Sequence, residues 1–245
     1  MIPTTLRSRL AAAFLSLVTL AWAAPEPAIV TAARAHLAPD ATLDAVRSIQ
    51  FRGTLTTDDG KKVAIEIIFQ KPCQHRVTAT GPETTEITAL DDYEGWQRVQ
   101  DSKDPTRWKM TLLGKDQVRR LRANTAENLA FFRTTTFQGE FQDQGEAEVA
   151  GQKARKLAYR HAEDICFTRF FDPASGKLLL TETERGGTIR EEGEMMAGGI
   201  RFPKRMVTSS KMSDGKERSV TIEFETISVN ESFAASLFSV PMMTR

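Results

Sequence analysis

The sequence predicts a mainly β fold (α+β): a single curved antiparallel sheet of about ten or eleven strands, forming a half-barrel covered by helices. Three observations lead there. Short runs of alternating apolar and polar residues follow one another from Ile49 almost to the C-terminus, most of them closed by a polar turn. Only two substantial helical patterns accompany them. An open twisted sheet of that width tends to curl, and its apolar face then needs a cover. With 245 residues, 40% of them hydrophobic, the chain can bury a sizeable core.

The first residues stand apart. Arg7 and Arg9 precede an apolar run from Leu10 to Trp22, and Ala21-Trp22-Ala23 fits a small-x-small cleavage site. This is the pattern of a secretory leader over residues 1–23, leaving 24–245 as one exported domain. The run is shorter than the roughly 20 residues that span a bilayer. No Cys lies near the cleavage site to carry a lipid. The net charge of +1 falls to near −1 without the leader, which excludes the basic footprint of a nucleic-acid binder. The expected location is the periplasm.

The elements follow in order. "EPAIVTAARAHLAP" places Ile29, Ala32, Ala33 and His36 at helical spacing and ends near Pro39. From Ile49 the period becomes two. Ile49, Phe51, Gly53 and Leu55 share one face of the first strand, and after the "DDG" turn Val63, Ile65, Ile67 and Phe69 align on one face of the next. "QHRVTAT", "TEITAL", "YEGWQRVQ" and "RWKMTLL" extend this meander. "GKDQVRRLRANTAENLAFF" interrupts it with Val118, Leu121, Thr125, Leu129 and Phe132 on one helical stripe, and Arg119, Arg120, Arg122 and Glu127 elsewhere on the helix surface. Strands resume with "AEVAGQKARKLAYRH", "ICFTRFFD", "GKLLLTETER", "TIREEGEMM", "GIRFPKRMVTSSKM" and "RSVTIEFETISV". Pro203 marks an edge, a bulge or a strand start. Asn230, where the last strand gives way to a short helical turn, reads as its N-cap.

Catalytic signatures are missing. There is no G-x-S-x-G, H-E-x-x-H or G-x-G-x-x-G, and Gln152 stands where a phosphate loop needs Lys. His36, His75 and His161 are isolated from one another, with no metal-ligand spacing. Asp91-Asp92 reads as a solvated turn rather than an acid–base pair, and "VRRLR" as a wet helix face that could also meet an acidic partner or lipid headgroups. Cys73 and Cys166 allow a disulfide in an exported protein, or two buried thiols. The expectation is a non-enzymatic protein with no cofactor and no metal.

The aromatic residues are the remaining signal. A wide curved sheet with few helices does not easily fill its own concavity, so it encloses a large apolar cavity or holds a ligand there. Face periodicity nominates Phe51, Ile65, Ile67, Phe69, Trp96, Trp108, Leu121, Leu129, Phe132, Phe167, Phe171 and Phe224 as lining residues.

Three stretches carry a family resemblance. "LDDYEGWQRVQ" resembles the aspartate–glycine–tryptophan strand of bacterial periplasmic outer-membrane lipoprotein-sorting proteins, the LolA-like superfamily. "EVAGQKARKLAYRH…ICFTRFFDPASGKLL" resembles their aromatic strand and the hairpin after it. "GGIRFPKRMV…DGKERSVTIEFETISVNESFAASLFSVP" resembles their closing segment. The resemblance runs from about Ile49 to Pro241. It implies a helix-covered half-barrel with an apolar cavity for acyl chains, Asn230 capping the last short helix, and Phe238 and Pro241 sealing the open end. The function it implies is a carrier for lipoprotein acyl chains or another lipid-like ligand in outer-membrane transport, and the expected state is a monomer. An envelope sensor or assembly factor acting through protein contacts is the rival reading.

Overall fold

The computed structural model describes residues 25–211 and 217–241. The leader expected over residues 1–23 and the Ser213-Asp214-Gly215 turn lie outside the described residues. Two helices open the described chain, α1 (Ala28–Leu37) and α2 (Asp40–Asp44). Six strands follow as a meander: β1 (Ser48–Thr57), β2 (Lys62–Gln70), β3 (Gln74–Thr80), β4 (Thr84–Asp91), β5 (Glu94–Asp101) and β6 (Trp108–Leu112). Helix α3 (Lys115–Ala130) leads to a second series, β7 (Glu140–Val149), β8 (Gln152–Ala162), β9 (Ile165–Phe171), β10 (Leu178–Thr183) and β11 (Thr188–Glu192). A small hairpin, β12 (Met195–Ala197) and β13 (Ile200–Phe202), precedes β14 (Arg205–Lys211) and the long β15 (Glu217–Val229).

Thirteen of these strands form one antiparallel sheet, curved but not closed into a barrel. Its order is β6-β5-β4-β3-β2-β1-β15-β14-β11-β10-β9-β8-β7. The last strand thus pairs with the first, and the edges are β6 and β7, the two strands that α3 connects. Helix α3 therefore links one edge of the trough to the other.

The strand count exceeds the ten or eleven expected, chiefly because "AEVAGQKARKLAYRH" is a hairpin. Ala150 (φ 49°) and Gly151 (φ 82°) turn it between β7 and β8, the double left-handed geometry of a tight hairpin turn. Pro203 lies between β13 and β14 and splits what reads as one strand.

Residues directly opposite each other in an antiparallel pair project to the same face. Phe51 opposes Ile67 and Ile227, and Phe69 opposes Ile49 and His75. That face is the concave one. Phe51 packs with Phe69, Phe202 and Phe224 at ring separations of 6.3, 5.6 and 4.9 Å. Leu43 of α2 and Leu129 of α3 join this cluster. Val30 and Ala33 of α1 cover the other wing through Leu157, Tyr159 and Phe171. Removing this apolar surface from water, at about 25 cal/mol per Å², holds helices and sheet together.

One open alternative is decided and one expectation is corrected. Cys73 and Cys166 are free thiols; they lie by β3 and in β9, strands seven places apart in the sheet. Asn230 caps no helix. It has φ 64°, and its side-chain oxygen accepts a hydrogen bond from the Arg47 backbone N–H at 2.6 Å. It thereby ties the end of β15 to the start of β1, and the 3-10 turn Ala235–Leu237 begins without a side-chain cap.

Candidate functional site

The concave face carries a cavity of about 140 Å³ beneath α3. Its apolar wall includes Ile49 and Phe51 of β1, Phe167 of β9, and Phe131 and Phe132 just after α3. Helix α3 ends there because Phe131 and Phe132 both adopt left-handed backbone (φ 47° and 67°), a conformation bulky residues rarely accept. Side chains hold both carbonyls in place. Arg34 Nη1 donates to the oxygens of Ala130 (3.0 Å) and Phe131 (2.9 Å), and the Tyr159 hydroxyl donates to the oxygen of Phe132 (2.8 Å).

Arg34 uses every nitrogen of its guanidinium. Nε pairs with Asp40 at 2.7 Å and Nη2 with Asp44 at 2.9 Å, and the residue is 2% exposed. It clamps α1, α2 and the end of α3 at one point. The first half of α3 is held by more exposed ion pairs: Arg119 to Asp164 (3.0 Å), Arg120 to Glu184 (2.5 Å), and Arg122 to Asp92. Surface pairs of this kind contribute about 1 kcal/mol or less each. The "VRRLR" run thus binds acids of its own chain, and Asp92 serves it from a turn.

One side of the cavity is polar. Glu127, which sequence periodicity leaves outside the apolar stripe, is buried and turned to the sheet. Its carboxylate accepts from His161 Nε2 at 2.5 Å and lies 2.5 Å from Arg169 Nη1. Burial alone would push the Glu127 carboxyl up, but Arg169 and His161 together hold it below the usual carboxylate range. The Arg169 guanidinium lies 4.8 Å from the Phe132 ring and 4.9 Å from the Tyr159 ring. Glu191 of β11 also reaches this cavity, and burial raises its carboxyl pKa against the pull of Arg169 and Lys177.

Of the nominated residues, Phe51, Phe132 and Phe167 line this cavity. Ile65, Phe69 and Phe224 are buried on the same concave face with Ile67 half-buried beside them, Leu129 packs against them from α3, and Phe171 belongs to the α1 wing. Leu121 is half-buried on α3. Trp96 and Trp108 are on the opposite, convex face. Trp96 opposes Ala89, whereas Gly95 opposes Leu90 on the concave side. A Cβ on Gly95 would come within 2.9 Å of the Leu113 side chain and 3.2 Å of Val118 on α3. Trp96 is 1% exposed because the C-terminal tail covers it, its indole N–H donating to the Phe238 carbonyl at 2.8 Å. Phe238 is thus fully buried outside the trough, not at its open end. Trp108, on edge strand β6, is 42% exposed.

Sequence reasoning missed Arg34, Arg169 and Glu191. A signal existed for two of them: Arg169 alternates with Phe167 and Phe171, and Glu191 with Ile189, so each shares a face with apolar neighbours. Among the described residues no cluster of His, Cys, Asp and Glu could hold a metal ion, and no helix is long and apolar enough to cross a membrane.

Compared with protein-family models and with curated proteins, the sequence matches none. Among solved structures the fold is similar to a DUF1329 family protein from Desulfovibrio piger, with TM-score 0.54 and 10% identity over 86% of this chain and 96% of that one. It is similar to a LolA superfamily protein from Nitrosomonas europaea, with TM-score 0.53 and 13% identity over the same shares of the two chains. The class these define is a LolA-like fold, a wide curved sheet covered by helices.

Proposed function

We propose that this chain is a periplasmic, non-enzymatic carrier that holds the acyl chain of a lipoprotein or another lipid-like ligand beneath α3, within outer-membrane lipid or lipoprotein transport. The observation that carries this reading is an aromatic cavity on the concave face, roofed by a helix whose terminus is fastened by one buried arginine. The LolA-like fold supports it. Affinity comes from burying apolar ligand surface, at about 25 cal/mol per Å².

A cavity of about 140 Å³ is close to the engineered apolar cavity of about 150 Å³ that takes a benzene-sized group. A longer chain therefore extends along the concave floor only as the C-terminal part of α3 lifts. Titration with a fluorescent fatty-acyl probe tests this. Ile189→Phe, which adds a ring to the cavity, lowers affinity at least about tenfold in a folded protein; equal binding by that variant removes the cavity from the account.

One observation favours a second reading, the envelope sensor or assembly factor. Edge strand β6 exposes Trp108 (42%) and Leu112 (63%) beside an unpaired strand edge, a surface suited to strand addition by a partner protein. Recovery of a defined partner that Leu112→Lys abolishes, with no acyl probe bound, would favour it.

A further inference from the structure

A second concavity lies outside the trough, between α2, the β2–β3 turn and the C-terminal half of α3. It has a volume of about 720 Å³. Its accessible apolar lining is Pro72 and Ala126, both exposed, and half-buried Ala130, with Leu43 and Leu129 buried beneath, and its rim carries Arg47, Lys71 and Arg133 with a single acid, Asp44. That acid is already engaged, pairing with Arg34 at 2.9 Å and Arg133 at 2.8 Å. Among the described residues the side chains of Arg47 and Lys71 have no ion pair and no hydrogen bond, and Arg133 Nε is buried without a partner. Burial lowers the Lys71 pKa, and repulsion from Arg47, Arg133 and Arg34 lowers it further against the pull of Asp44. An unpaired ammonium is thus gathered with like charges over an apolar floor. In a free protein that arrangement is repulsive, and an anion entering the groove relieves it.

We propose that this groove receives the phosphate of an anionic amphiphile, with the phosphate on Lys71 and Arg47 and the adjoining apolar segment against Pro72, Ala126 and Ala130. Phosphate suits the donors. Guanidinium and ammonium groups make charge-assisted hydrogen bonds to phosphate oxygens, roughly twice as strong as neutral ones. The lining distinguishes an amphiphile from the bare ion, since only a molecule with an apolar segment gains from covering the accessible surface of Pro72, Ala126 and Ala130. The tail half of this assignment rests on the carrier reading; the anion half does not. Because Leu129 and Ala130 of the α3 roof border the groove, a ligand there also contacts the element that closes the inner cavity.

The test is isothermal titration of the full mature protein with short-chain phosphatidylglycerol below its micellar concentration. Phosphatidylcholine of the same chains and inorganic phosphate are titrated in parallel. Phosphatidylglycerol binds, phosphatidylcholine binds at least about tenfold more weakly, and Arg47→Gln/Lys71→Gln weakens phosphatidylglycerol by at least about tenfold. Equal phosphatidylglycerol affinity in the double variant and the native chain overturns the site. Inorganic phosphate binding as tightly as the lipid overturns the amphiphile and identifies the free ion as the occupant. Both substitutions replace cations at the groove rim and relieve repulsion, so the thermal midpoint stays level or rises, which separates lost binding from lost folding. A neutral monoacylglycerol probe, read in both proteins, reports the inner cavity separately. Its failure to bind either protein counts against the carrier reading, while the phosphatidylglycerol comparison alone decides the groove.

Discussion

His75 sits on the concave face of β3, stacked on Phe69 at 4.6 Å, 3% exposed and with Nε2 unpartnered. Burial drops its pKa from 6.5 to about 4. Above pH 6.5 the ring is neutral in both folded and unfolded chains and costs nothing. As pH falls from 6.5 toward 4 only the unfolded chain takes up the proton, so stability declines across that window and levels off below it. The total is roughly 3 kcal/mol, at about 1.4 kcal/mol per pH unit. Urea midpoints at pH 7.5 and pH 5 should differ in the native chain, and His75→Leu should reduce that difference. Glu127 acts in a lower window. Its depressed carboxyl pKa stabilises the fold above the ordinary value of 4.5 and loses that contribution as pH falls through the folded value. Trp96 gives a second prediction at this scale. Trp96→Ala should cost about 3–5 kcal/mol of stability, as truncation of a buried Trp does, and should leave acyl-probe affinity unchanged where the protein is folded. Alternation placed Trp96 on a regular strand face, but not on which side of the sheet. Gly95, the residue that lets Val118 of α3 come close, was the legible clue, because only the concave side has a helix to make room for.

Helix α3 was legible as an amphipathic element, and the meander of β1 to β6 as alternation broken by turns. The apolar stripe could not show that Glu127 turns inward, since its partners Arg169 and His161 lie on strands more than thirty residues away. Nor could the helix pattern foresee Arg34, whose role depends on where the last carbonyls of α3 arrive. Arg34→Ala should cost about 2–3 kcal/mol, because it leaves the Ala130 and Phe131 carbonyls without their buried donor, whereas Asp40 and Asp44 are exposed and keep Arg133. Hydrogen exchange should quicken in the last turns of α3 and leave β1 and β2 protected. Equal quickening throughout the sheet would mean that Arg34 supports the whole fold rather than fastening the roof. The missed boundary between β7 and β8 has a local cause. Ala at a left-handed position is an unusual turn residue, so Ala150-Gly151 lacks the Asn-Gly or Asp-Gly signature that marks such turns.

At the scale of the whole molecule, the feature that creates a site is the pairing of the first strand with the last. It makes β6 and β7 the edges and obliges α3 to link them over the concave face. No local pattern encodes that pairing; it follows from closing two strand series along a common middle. The aromatic excess of the sequence divides accordingly. Phe51, Phe167, Phe202 and Phe224 turn inward, while Trp96, Phe170 and Phe238 serve the convex face. The proposed cargo of the inner cavity under α3 is a lipid-like ligand. The most direct measurement is native mass spectrometry, with lipid extraction, on the protein purified from expressing cells without detergent. An added mass that extracts as an acyl lipid is expected in the native chain and lost in the Ile189→Phe variant. A bare polypeptide mass in the native chain, together with no uptake of an added acyl probe, would contradict it.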